Sequence, residues 1–158
     1  MDINALTNNN ETPLMLACGM GKKETVQTLI SLECAMDVQD TDGKTALHKA
    51  VISNKYRIVE LLIDNNGCDA DIRDEKGSTP LIYAFKNNYH DIASILLIYD
   101  ADLNVRNNEN VCPMDLAKKS GLHTISDILL EGTVQNTSMG TDCEVTILYS
   151  RLDANGEN

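Results

Sequence analysis

Residues 43–67 read GKTALHKAVISNKYRIVELLIDNNG. Thr45 is a helix N-cap type, and Ala46, Leu47 and Ala50 behind it form a short apolar face. Ser53-Asn54-Lys55 interrupts that face, and Ile58, Val59 and Leu62 then recur at the spacing of a second helical stripe. Asn65-Asn66-Gly67 ends it with residues that suit turns. Two helices this short cannot bury their own apolar sides, so the unit needs neighbours of the same kind.

The chain supplies them. Thr12-Pro13-Leu14-Met15-Leu16-Ala17, Thr45-Ala46-Leu47-His48-Lys49-Ala50, Thr79-Pro80-Leu81-Ile82-Tyr83-Ala84 and Cys112-Pro113-Met114-Asp115-Leu116-Ala117 start at positions 12, 45, 79 and 112, intervals of 33, 34 and 33. The extra residue falls in Asp64-Asn65-Asn66-Gly67, a turn, where insertion costs least. Proline suits the first helical position, so the first helices that open on Pro13, Pro80 and Pro113 begin sharply. Gly21, Asn54, Asn88 and Gly121 stand at the turn between helices, where a positive φ is tolerated. The second helices carry Val26/Leu29/Ile30, Ile58/Val59/Leu62, Ile92/Ile95/Leu96 and Ile125/Ile128/Leu129. Short polar stretches at 37–43, 71–77 and 104–110 read as projecting hairpins between units.

The period and the T-P-L-H-x-A-like starts resemble the ankyrin-repeat family, over about residues 2–131. Gly67-Cys68-Asp69-Ala70-Asp71 and Asp100-Ala101-Asp102-Leu103-Asn104 are similar to that family's G-A-D-V-N segment. The resemblance implies an all-α solenoid of stacked helix-turn-helix units with β-hairpin fingers. Its repeats fall at about 8–40, 41–74, 75–107 and 108–132, followed by a linker at 133–142 and a tail at 143–158. Two departures stand out: the signature histidine occurs only as His48, and Leu32-Glu33-Cys34-Ala35 lacks the usual glycine. Lys118, Lys119 and Ser120 make the fourth first helix polar, as a terminal unit requires.

Composition fits such a stack. The chain has 158 residues, 42% of them hydrophobic but only 4% aromatic, so the core is aliphatic. A net charge of −11 argues against tracking nucleic-acid phosphates or docking on anionic lipid, and suggests a basic protein partner. Cys18, Cys34, Cys68, Cys112 and Cys143 show no paired spacing, the pattern of reduced thiols in cytoplasm or nucleus. The start MDINALTNNNE has neither the basic nor the apolar region of a signal peptide. A monomer is expected.

No catalytic constellation emerges. His48, His90 and His123 lie a repeat or more apart, with no cysteine or acid at zinc-ligand spacing. Asp40-Thr41-Asp42-Gly43 has too few ligands at the wrong spacing for a calcium loop. Neither a nucleophile–base pair nor a phosphate loop is present, so the expectation is a non-enzymatic binding module without cofactor.

The resemblance places partner contacts at finger tips and on the concave side of the first helices. By position these are Asn8, Asn9, Glu11, Gly19 and Met20, then Thr41, Asp42, Lys44, Ile52 and Ser53. The third and fourth repeats contribute Glu75, Lys76, Ser78, Lys86 and Asn87, then Asn108, Glu109, Val111, Lys119 and Ser120. Met20, Ile52 and Val111 are apolar at places expected to face water, the composition of an interaction hot spot with a charged rim. The resemblance also marks Asn104 as a candidate for asparaginyl hydroxylation. In the tail, Cys143-Glu144-Val145-Thr146-Ile147-Leu148-Tyr149 is rich in strand formers. It either packs on repeat four or joins a partner's sheet, and Ile147-x-Tyr149-x-x-Leu152 resembles a phosphotyrosine motif that would carry a signal in a scaffold or regulatory fragment.

Overall fold

The computed structural model describes residues 2–65, 67–123 and 127. Seven helices occur among them: α1 (Pro13–Met20), α2 (Lys23–Ser31), α3 (Ala46–Ile52), α4 (Tyr56–Asp64), α5 (Pro80–Lys86), α6 (His90–Ile98) and α7 (Pro113–Lys119). The first helices α1, α3, α5 and α7 pack side by side in one layer, and α2, α4 and α6 form a second. Ile125, Ile128 and Leu129, the expected stripe of a fourth second helix, lie outside the described residues, as does the tail with Cys143 and Tyr149.

Local chemistry sets the helix ends. Thr12 Oγ1 accepts the Met15 N–H at 3.2 Å, and Thr45 shares a reciprocal capping box with His48. Helices α1–α2, α3–α4 and α5–α6 are each joined through one left-handed residue, Gly21 (φ 75°), Asn54 (φ 53°) and Asn88 (φ 58°), and Gly121 (φ 81°) follows α7. All four sit where the repeat predicted them. The missing glycine of the first repeat has a visible cost: Glu33 takes φ 57° and Asp100 φ 64° at the ends of their units.

The core is a continuous aliphatic seam. Leu14, Leu47 and Leu81 from the first layer meet Val26, Val59, Leu62, Ile92 and Leu96 from the second, all essentially inaccessible. Alanines 17, 50, 84 and 117, one per repeat, are buried where neighbouring first helices approach. In α2, Thr25 and Thr28 are exposed where α4 buries Ile58 and α6 buries Ile92 and Ile95, so the outer face of the first unit is polar, as a terminal unit requires. At the other end, Lys118 is exposed where α3 buries Val51 and α5 buries Phe85.

The fingers are shorter than hairpins. Among the described residues no strand forms; each tip is a single closed turn. Thr7, Asp40, Asp74 and Asn107 donate their N–H to the residue four positions on, at 3.0 Å in every case. One cross-pair per finger is too little for a ladder, because the chain must reach the next N-cap within a few residues.

Candidate interaction surface

Each tip is built by a side chain that folds its own loop. Asp40 Oδ1 accepts the N–H groups of Asp42 and Lys44 (2.9 and 2.8 Å), and Asp74 Oδ1 those of Lys76 and Ser78 (3.0 and 2.8 Å). Asn107 Oδ1 serves Glu109 and Val111, and Thr7 Oγ1 serves Asn9 and Glu11. Asp40, Asp74 and Asn107 are buried for this work. The aspartates of the fingers are therefore turn builders. Successive tips are then joined: Thr41 N–H donates to Asn9 O, Glu75 N–H to Asp42 O, and Asn108 N–H to Lys76 O, at 2.9–3.0 Å.

His48 locks the second repeat to the third. Its Nδ1 accepts the Thr45 N–H (3.2 Å), which leaves Nε2–H to donate to Ser78 O (3.1 Å). Burial holds this imidazole below its ordinary pKa, against the opposing pull of the Ser78 carbonyl and Asp74. The histidine is structural.

Ion pairs lie along the concave side. Lys49 Nζ bridges Asp40 Oδ2 (2.7 Å) and Glu11 Oε1 (2.8 Å). Burial alone would raise the Asp40 carboxyl, but Lys49 and the backbone N–H groups of Lys44 and Asp42 outweigh it and hold it below its usual range. Lys44 pairs with Asp42 at 2.8 Å and Lys86 with Glu109 at 3.2 Å, both at the exposed tips. In the third repeat a phenol replaces the lysine, with Tyr83 OH donating to Asp74 Oδ2 at 2.6 Å.

Of the residues expected to meet a partner, Met20, Asp42, Ile52, Glu75, Lys76, Lys86, Asn87, Glu109 and Lys119 are exposed. Lys44, Ser53 and Val111 are half-buried. Ser78 is a correction. It is 2% exposed, its hydroxyl accepts from Asn107 Nδ2 (3.0 Å), and its small size lets the fourth finger close over it. One residue of the face escapes the sequence reading: Leu16 is 40% exposed, one helical turn before Met20 at 63%. Its equivalents Lys49 and Tyr83 are the polar members of their repeats, and that contrast was the available signal. Asn104 lies exposed in a turn, its N–H donated to Asp102 Oδ1 at 2.8 Å.

Among the described residues the excess negative charge sits elsewhere, on the loops after the second helices. There Asn4, Asp37 and Asp71 accept the N–H groups of Ala35, Asp69 and Asp102 one repeat on. Burial first, and then the nearby Asp69, raises the Asp37 and Asp71 carboxyls, against the N–H groups they accept. Among the described residues no group of three or more His, Cys, Asp or Glu could hold a metal ion. Three thiols are held in the protonated form: burial, reinforced by Cys34, pushes Cys18 up to about 12, and burial also raises Cys34 and Cys68.

Comparison with known proteins agrees with this geometry. A family model described as ankyrin repeats in three copies matches residues 1–74 and again 53–139. The chain belongs to the ankyrin-repeat family, whose repeats are protein–protein interaction modules. It is 38% identical over 82 residues to human Rabankyrin-5, covering 51% of this chain and 7% of that protein. It is 31% identical over 101 residues to human Neurogenic locus notch homolog protein 1, covering 64% and 4%. Mouse B-cell lymphoma 3 protein homolog is 33% identical over 105 residues, covering 63% and 23%. The chain thus spans a small part of each relative's length. Among the described residues no helix is long and apolar enough to cross a membrane.

Proposed function

We propose that this chain is a non-enzymatic module that binds one protein partner through its finger tips and concave face, acting as an inhibitor by occlusion or as an adaptor. The observation that carries this is the exposed apolar group Leu16, Met20 and Ile52 on the first-helix layer, flanked by ion-paired tips. A preformed stack loses little ordering entropy on docking, and a few desolvated anchors suffice for affinity. The free, mostly buried thiols among the described residues suit the reducing cytoplasm or nucleus. Hydroxylation at Asn104 has the exposure it needs; an intact mass from animal cells with no added oxygen would end that part of the proposal.

Affinity purification with mass spectrometry tests the face. Wild type is compared with Ile52→Asp/Lys86→Glu and with a truncation at Gly132. A partner lost with the double substitution but kept by the truncation supports the concave face. A partner that survives the substitutions and leaves with the tail transfers the function to residues 143–152, with Tyr149 as the signal.

A further inference from the structure

The ends of the four first helices form a line across the concave face, and its character changes halfway. Met20 closes α1 and Ile52 closes α3, both exposed; Lys86 closes α5 and Lys119 closes α7, also exposed. Packed helices lie about 10 Å apart, so the line runs roughly 30 Å. Leu16 widens the apolar half.

The cationic half is not neutralised by its surroundings. Lys86 touches Glu109 at 3.2 Å, an exposed pair of the kind that contributes little and is easily exchanged. Asp115 is held by Arg106 at 2.9 Å. Lys118 and Lys119 make no ion pair among the described residues. In the apolar half, Lys49 is already engaged by Asp40 and Glu11.

We infer that the partner presents a segment with apolar side chains at one end and carboxylates at the other, laid along this line with its acidic end over α5 and α7. The inference rests on the concave face being the binding surface and specifies what it reads. It runs against the attraction of a basic partner that the chain's overall charge of −11 suggests, because among the described residues the excess acid lies on the loops after the second helices. At contact, local complementarity sets register and specificity.

The test is selection of random peptides, roughly 12 residues long so that they span about 30 Å when extended, displayed on phage against the full chain. Met20→Ser/Ile52→Ser and Lys86→Glu/Lys119→Glu are carried in parallel; all four positions are exposed, and a CD melt confirms each fold. Enrichment of apolar–acidic peptides, with binding weakened roughly tenfold or more by either pair and a switch to basic peptides by the lysine reversal, is expected. Basic peptides that still depend on Met20 and Ile52 would overturn the inference while keeping the face. Peptides indifferent to all four positions would overturn the face itself. Selection of near-neutral apolar peptides resembling residues 143–152 would give the site to the chain's own tail. A failure to enrich, with sedimentation showing a dimer that Met20→Ser dissociates, would give it to a second copy; a failure with a monomer removes the peptide-reading face altogether.

Discussion

Three threonines in equivalent places do different work. Thr12 and Thr45 cap their helices through Oγ1, whereas Thr79 Oγ1 is buried with no partner, the Ile82 N–H donating instead to the Thr79 carbonyl at 3.1 Å. The same substitution should therefore have opposite signs. Thr45→Val removes a satisfied cap and is expected to cost about 1–2 kcal/mol. Thr79→Val removes an orphaned hydroxyl and should stabilise by up to about 1 kcal/mol. Urea denaturation of the two variants decides it, and equal losses would contradict the account. Glu33, held at φ 57°, gives a second residue-scale expectation. Glycine relieves the left-handed strain but adds unfolded-state freedom, so Glu33→Gly should gain only about 0.5–1 kcal/mol, read as a raised melting temperature. His48 gives the third. Its folded pKa lies below the unfolded value, so the unfolded chain binds more protons in between. Stability is full above about 6.5 and falls as pH drops from there toward the folded pKa. His48→Gln, which retains a capping side chain, should flatten the melting temperature between pH 7.5 and 5.5.

At the scale of elements, burial follows the stripe. Leu62 is fully buried between layers, and Leu62→Asp would bury an unpaired charge at a cost of several kcal/mol. A far-UV CD melt unchanged by that substitution would refute the register. The helices, their turns and the second-helix stripes were legible because the same φ demand and the same spacing recur at a fixed period. The face was less legible. Ser78 looks like a surface residue within its own repeat, but His48 of the preceding repeat and the Asn107 amide of the next finger both reach it. Leu16 follows Leu14 and Met15 in an eight-residue helix that is apolar on most sides, so its outward direction shows only beside Lys49 and Tyr83. Both misreadings share a cause: burial at those rows is decided by the adjoining repeat, a non-local fact.

The whole molecule is a one-dimensional stack, and its stability should be distributed accordingly. Central units touch neighbours on both sides, while α2 has a polar outer face. Amide exchange is expected to be slowest in α3, α4 and α5, and faster in α1 and α2. Uniform protection across the helices would argue against that gradient. The row of tips has a mechanical meaning as well. A single backbone N–H···O bond and a few side-chain bonds join each tip to the next, in line with the stack, whereas the helices behind are held by broad apolar packing. Under tension from end to end, the tips would part first and the array would flex open along that edge, yielding length one repeat at a time while its aliphatic spine stayed closed.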